Sequence, residues 1–397
     1  MPSQDYSVLT QLNTFIKLDK FIKDSPELTF FRYQMLKSTN FALNQIVAPM
    51  RGSHSKRWCT IERKGDLLGQ CFLIADMPGS SVAWKKDVGR AMIESVQLEI
   101  GGQCVEQFSG LYMMAWDALS GGLKTLSGTS MIDIADTEKG KANRLYVPLP
   151  FHFSSGNPGL SLPLIALPYH DVKVTVDLKD IAAIAGAGAK VTELASKSKS
   201  GERGQAQIAE NDQQALAWSD CHFYLETCQI YLDKEERASF ADLTTDILIE
   251  QVQDKIMSAS DFGRPMCLTF NHAVSELIWC SQTADLEIGG DAYTGISLTF
   301  NNHERFDKEH KEHLEYFSKV QPWMHHSSGD PKDIYCYNFG LKPEDPQVSG
   351  SVSLSGIDNV MMTLKGNSGA GNTTHIFARS YNVLKIGQGM GGIAFTS

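Results

Sequence analysis

The run from Val172 to Leu178 restricts the fold more than any other stretch of the chain. Val172, Val174, Val176 and Leu178 fall on one side, and Asp171, Lys173, Thr175 and Asp177 on the other. A half-buried β-strand requires this period of two, because successive side chains point to opposite faces of a sheet. The preceding residues, LYVPLPFHFSSGNPGLSLPLIAL (145–167), add two apolar runs joined by a turn. Pro148 and Pro150 lie two apart, so both missing N–H groups point the same way, which predicts a sheet edge or an irregular segment. The whole stretch carries no nucleophile, ligand cluster or phosphate loop. It reads as architecture.

The same texture recurs along the chain. Strands are predicted near Leu28–Val47, Trp58–Arg63, Leu67–Asp76, Met92–Gly101, Leu145–Phe153, Leu164–Tyr169, Val172–Leu178 and Cys221–Leu232. Asp233–Leu243 (DKEERASFADL) then reads as a connector helix, with Asp233 as cap and Glu236 three residues on, as in a capping box. Strands resume at Ile247–Lys255, Met266–Asn271, Glu276–Gln282, Ile296–Asn301, Ile334–Leu341, Gly350–Leu364, Thr374–Ile386 and Gly392–Thr396. Both halves therefore carry eight, and in each a long helical insertion follows the fourth: LYMMAWDAL within 103–143, and DKEHKEHLEYF within 302–333. The pentapeptide LEIGG occurs at Leu98–Gly102 and Leu286–Gly290, but out of register, so it says little about duplication.

Many short strands with turns and few helices argue for sandwiches or barrels. Eight strands in two packed four-stranded sheets make a jelly roll. The predicted fold is all-β: a tandem double jelly roll, two eight-stranded antiparallel sandwiches with short helices in the loops. The predicted division is an N-terminal arm (1–27), a first jelly roll (28–232), a connector helix (233–245) and a second jelly roll (246–397). The arm ends in the turn signal Asp24-Ser25-Pro26, and such arms are often ordered by a partner. The connection 180–220 is long and poor in bulky apolar residues, which predicts an exposed loop open to proteolysis.

Composition narrows the function. A net charge of −10 argues against a protein that seeks phosphate backbones. No apolar run reaches the roughly 18 residues of a membrane helix, and MPSQDYSVLTQ lacks the basic and apolar regions of a signal peptide, which predicts synthesis in a cytosol. The eight cysteines (59, 71, 104, 221, 228, 267, 280 and 336) include no CxxC pair. They read as reduced, buried, small hydrophobes rather than a disulfide framework or zinc site.

Several patterns resemble chemistry and dissolve on inspection. Gly387–Gly392 (GQGMGG) matches a dinucleotide fingerprint by letter, but too little chain follows for the required helix, strand and acidic residue. It reads as a turn. His303, His310, His313, His325 and His326 cluster in a segment dense in Lys and Glu, which predicts a solvated face rather than a metal site. The metal-binding His-x-His and Glu pattern of a cupin is absent. His152, His170 and His272 read as satisfied structural histidines. The sequon Asn372-Thr373-Thr374 has no secretory context. Trp58, Trp84, Trp116, Trp218, Trp279 and Trp323 are scattered singly, as core or interface anchors would be. No catalytic, metal or cofactor-binding residues are assigned, and no cofactor is expected.

At this point particular residues match a known pattern. FFRYQMLKSTNFA (30–42), ERKGDLLG (62–69), SVQLEIGGQ (95–103), LYVPLPFHF (145–153), LPLIALPYHDVKV (162–174), LTFNHAVSELIW (268–279), VQPWMHH (320–326), IYCYNFGLKP (334–343), SGSVSLSGIDN (349–359) and ARSYNVLKIGQGMGGIA (378–394) appear in order. The chain resembles the major capsid proteins of nucleocytoplasmic large DNA viruses, such as those of phycodnaviruses and iridoviruses. Family members often carry Trp where His152 stands and Gln where Pro168 stands.

The resemblance implies a structural, non-enzymatic homotrimer that forms a pseudo-hexagonal capsomer and tiles an icosahedral shell. Implied partners are neighbouring capsomers and minor and penton proteins. An internal membrane would be touched indirectly, and nucleic acid not directly. The implied location is the virion capsid, assembled in host cytoplasm. A lectin-like jelly-roll carbohydrate-binding module is the alternative from a different class, and a cupin-like enzyme a third.

Overall fold

A computed structural model describes residues 29, 31–33, 35–52, 55–78, 84–121, 126, 128–134, 142–184, 218–242, 244–289, 292–327, 331–367 and 372–396. The expected arm 1–27 and most of the 180–220 connection lie outside them. The chain divides into two units, 1–40 and 41–397. In the first, the described residues form no helix or strand, and Phe31, Tyr33, Met35 and Leu36 are exposed. The strand expected from Leu28 therefore begins at Phe41, where the chain first meets a sheet partner.

The second unit holds both sandwiches. Its strands up to residue 232 are β1 (Phe41–Pro49), β2 (Lys56–Thr60), β3 (Leu67–Met77), β4 (Ile93–Ile100), β5 (Gln103–Phe108), β6 (Asn143–Leu149), β7 (Leu162–Pro163), β8 (Val172–Leu178) and β9 (His222–Leu232). They pair as β1-β9-β3-β6, with β7 beside β3, and as β2-β8-β4-β5. Helix α1 (Gly110–Ser120) connects β5 to β6, and helix α2 (Lys234–Ala241) follows β9.

Past residue 244 come β10 (Thr245–Met257), β11 (Met266–Cys267), β12 (Ala273–Gln282), β13 (Ala292–Phe300), β14 (His303–Glu304), β15 (Ile334–Asn338), β16 (Val352–Ser353), β17 (Val360–Asn367), β18 (Thr373–Gly387) and β19 (Met390–Ile393). They pair as β10-β18-β12-β15 and β11-β17-β13-β14, with β16 beside β12 and β19 beside β18. When the main strands of each half are numbered one to eight, both halves read 1-8-3-6 and 2-7-4-5. That is the jelly-roll order. The repetition extends to detail, because β7 and β16 each pair with the third strand and each run into a single 3₁₀ turn, Leu164–Ala166 and Leu354–Gly356.

Three expectations are corrected. The helical insertion follows the fifth strand in each half, not the fourth. β5 returns from β4 through the tight Gly101-Gly102 turn, and β14 is only two residues long, so neither stood out from the connection around it. Leu164–Tyr169 is a 3₁₀ turn rather than a strand, and Gly350–Leu364 is broken by another. The helix expected over 307–317 is split into α3 (Lys308–Glu312), a π-turn (Tyr316–Val320) and helix α4 (Gln321–His325), which continues through Pro322 at its second position, where no intrahelical N–H is needed.

The opening expectation is met. Val172, Val174, Val176 and Leu178 are buried in β8, inside the β2-β8-β4-β5 sheet. β6, with Pro148, is the edge of its sheet, where a missing donor costs no ladder bond. The connector helix is capped at Asp233, whose carboxylate accepts from Lys234 N at 2.7 Å rather than from Glu236 N, so the cap is met and the expected capping box is not formed.

The first core continues onto one face of the β10-β18-β12-β15 sheet. Ile278, Cys280 and Phe377 belong to that shared core, while Leu277, Trp279, Ile376 and Ala378 belong to the core of the second sandwich. β12 is thus buried on both faces, which explains why AVSELIWCSQ is apolar with little alternation. All eight cysteines are free thiols; six are buried, and Cys104 and Cys267 are exposed.

Candidate functional site

The sheet buried on both faces places charged side chains where charge is costly. Glu276 on β12 and Arg379 on β18 are register partners and point toward the first sandwich. Arg379 Nη1 donates to Glu276 Oε1 at 2.6 Å and to the Pro343 carbonyl at 3.0 Å, and Arg379 also pairs with Glu250 on β10. His326, just past α4, sits between two carboxylates. Its Nε2 is 3.1 Å from Glu276 and its Nδ1 is 3.2 Å from Glu344. The side chains of His326 and Glu276 are both 0% exposed.

These contacts decide the charge states. Burial opposes a charge on His326, but its contacts with Cys336, Glu276 and Glu344 hold the proton and push its pKa up to about 11. Burial also opposes the charge of Glu276, and the Arg379 guanidinium with His326 outweighs it, leaving the carboxyl below its ordinary value. Glu344 is held low in the same way by His326 and Ser327. Two cations thus face three carboxylates, and none of the five is left uncompensated in the low-dielectric interior.

Helix α1 brings the first sandwich to this cluster. Ser109 caps it, accepting from Tyr112 N at 3.2 Å, and Arg90 ties Asp117 near its end at 2.9 Å. The helix presents Tyr112 and Trp116. The Arg379 guanidinium lies 3.8 Å from the Trp116 ring centroid, a cation–π stack. Trp116 also meets His326 edge-on at 6.0 Å, and Tyr112 meets Phe377 edge-on at 5.5 Å. Beside this contact a cleft of about 450 Å³ opens between the sandwiches, lined by Phe108, Trp116 and Phe151 on one side and Ile247, Leu248 and Pro346 on the other. Glu106 in its wall is engaged by His152 Nδ1.

A second contact closes the junction at the far end of β18. The GQGMGG run is a two-residue hairpin, Gly387 pairing with Met390. Gln388 and Gly389 have φ of 53° and 79°, the positive values a type I′ turn needs. The turn docks on the first sandwich. Tyr169 N donates to Gly389 O at 3.1 Å, Gly391 O lies 2.9 Å from His170 Nδ1, and Ile393 N donates to Gln103 Oε1 at 3.1 Å. A Cβ on Gly389 would lie 2.5 Å from the Tyr169 ring, and one on Gly391 would lie 2.8 Å from Leu167 Cδ2.

The other singled-out residues fall apart in space. His310 stacks on Tyr316 at 3.9 Å, His325 Nδ1 contacts Leu341 O at 2.9 Å, and His303 and His313 are exposed. His326 departs from the solvated face expected of this segment. Among the described residues no three His, Cys, Asp or Glu side chains are placed to hold a metal, and no helix is long and apolar enough to cross a membrane. Of the six tryptophans, Trp279 and Trp218 are core, Trp116 is the junction anchor and Trp323 is exposed. The charged junction escaped the sequence reading. Its signal was there in Glu276, the one charge in the largely apolar strand β12, whereas Arg379 lies in a strand of mixed polarity and did not stand out. The Cys336 thiol touches His326, but burial pushes its pKa up and the imidazole already holds its proton, so the pair is not set up as nucleophile and base. What the arrangement can do is fix two sandwiches against each other.

A family model described as major capsid protein N-terminus matches residues 29–226, and one described as large eukaryotic DNA virus major capsid protein matches 236–392. The chain is similar to the major capsid protein of Pyramimonas orientalis virus, 32% identical with 98% of this chain and 99% of the relative covered. It is 29% identical to that of Paramecium bursaria Chlorella virus 1, with the same coverage. Among solved structures, PBCV-1 VP54 superposes with a TM-score of 0.75 at 26% identity, covering 93% of this chain and all of that one. The Faustovirus major capsid protein shares the fold, with a TM-score of 0.64 at 11% identity, covering 96% of each chain. The lectin-like alternative gains no support from these matches. With both halves matched in order and a relative similar along nearly its full length, the chain belongs to the family of large eukaryotic DNA virus major capsid proteins.

Proposed function

We propose that this chain is the shell-forming subunit of an icosahedral capsid, and that three copies close into a pseudo-hexagonal capsomer. The observation that carries the reading is the identical strand order of the two halves, 1-8-3-6 with 2-7-4-5. Two similar sandwiches per chain give a threefold ring six similar units, which is what a near-hexagonal tile needs. The buried junction supports the same reading, because a tile keeps its outline only if its two sandwiches hold one mutual angle. The proposal assigns the chain no catalytic step and no cofactor, and places it in the virion shell after assembly in the host cytoplasm.

The functional division proposed is an arm at 1–27, jelly rolls at 28–232 and 246–397, and a connector at 233–245. The arm contacts neighbouring or minor capsid proteins beneath the capsomer, so deleting residues 1–25 should leave trimers intact and impair shell assembly. Loss of the trimers themselves would sink that role. The direct test of the whole reading is size-exclusion chromatography with light scattering. A stable species of three times the 43.8 kDa chain is expected. A monomer at all concentrations would refute it.

A further inference from the structure

The π-turn and α4 form a ridge that faces solvent and carries the wrong residues for solvent. Phe317, Gln321 and Pro322 point inward and are buried, while Val320, Trp323 and Met324 point outward and are exposed. The extra residue of the π-turn sets this phase. Such turns are frequent at functional sites. Leu341 and Val348 adjoin the ridge, because His325 bonds the Leu341 carbonyl at 2.9 Å and Leu341 N donates to Ser349 O at 3.3 Å. Trp323 is 74% exposed, and no other tryptophan of the chain is exposed.

The ridge is held rigid from behind. Gln321 donates to Tyr316 Oη at 2.9 Å and accepts from Asn338 N at 3.2 Å, and His326 anchors the end of α4 in the buried charge cluster. An apolar surface fixed in advance loses little entropy on binding. Its size also suits a partner. Scaled by their exposure, the five side chains offer on the order of 500 Å² of apolar surface, taking about 250 Å² for a whole tryptophan. A standard interface buries about 800 Å² per partner, of which about 450 Å² is apolar.

Charge points to the kind of partner. A chain carrying −10 repels its own copies in general. Around the ridge, however, exposed charges are internally paired: Glu315 with Lys319 at 3.4 Å and Lys342 with Asp345 at 3.6 Å. This locally neutral rim removes the barrier to a like-charged partner. We propose that the Val320–Trp323–Met324 ridge, with Leu341 and Val348, is the surface by which one copy of this chain docks on a second copy within the capsomer. The inference rests on the shell-subunit reading above and adds the contact surface to it.

The test uses the full chain. Trp323→Glu and Met324→Glu should each weaken self-association about 30-fold or more, the effect of losing one interface anchor, with the thermal midpoint of the dissociated chain unchanged. Trp323→Gln and Met324→Gln serve if the glutamates impair folding. A benzophenone photo-cross-linker at position 323 of the wild-type background should give covalent two-chain products. Variants that associate as tightly as wild type, or cross-links only within one chain, would overturn the surface and leave the trimer reading standing. A wild-type chain that stays monomeric would remove the trimer reading, and this inference with it.

Discussion

Arg379 shows how one side chain can join two sandwiches. It bonds Glu276 and Glu250 in its own sheet and stacks on Trp116 of the other sandwich. Replacing it with methionine leaves Glu276 buried without its main partner, which should cost about 3–5 kcal/mol in denaturant unfolding. The paired change Arg379→Met with Glu276→Leu should cost clearly less, because the fully buried charge is gone and only Glu250, which reaches solvent, loses its partner. Equal costs would show that the cluster's electrostatics do not matter.

The same cluster sets a pH dependence. Glu276 and Glu344 lie below their ordinary value of 4.5, so their contribution is present above that pH and lost as the pH falls through their lowered values. His326 is raised from 6.5 to about 11, so its contribution is full below pH 6.5 and is lost as the pH rises through about 11. The cluster is strongest between about pH 4.5 and 6.5. Melting temperature should therefore decline from neutral toward alkaline pH, and His326→Gln should flatten that decline. An unchanged slope in the variant would place the titration elsewhere.

At the scale of elements, the C-terminal hairpin is the most exposed to a single change. Gly389 needs a positive φ and has no room for a Cβ beside Tyr169. Gly389→Ala should destabilise by more than about 1 kcal/mol and speed hydrogen exchange at Ile393, whose N–H is bonded to Gln103. Adding Tyr169→Ala should recover only the steric part. If Gly389→Ala melts like wild type, the hairpin is not a latch.

Elements also show what the sequence could and could not convey. β8, β6 and β9 were legible because one-sided burial writes a period of two or an apolar run bounded by turns. β5 and β14 were not, because a tight hairpin and a two-residue strand leave no periodicity to read. GQGMGG was legible as a turn, but its docking on Tyr169 and His170 depends on residues more than 200 positions away. His326 was misread for the same reason. Its local sequence is polar, and its burial comes from β12 and from Glu344.

For the whole molecule, the two equal strand orders and the charged junction make one statement. The chain carries two copies of one architecture and fixes them against each other, through a shared core and two latches. That organisation was visible in the sequence in outline, as seven of the eight main strands of each half on either side of a helix, with β5 and β14 missed. The mutual angle of the halves was not, since it rests on Trp116 meeting Arg379. Cryo-electron microscopy of the purified oligomer tests this account most directly. It should show three copies arranged as six sandwiches in a near-hexagonal ring, with density for Arg379 stacked on Trp116 in every copy. A particle of any other copy number, or one whose two sandwiches vary in angle from copy to copy, would contradict it.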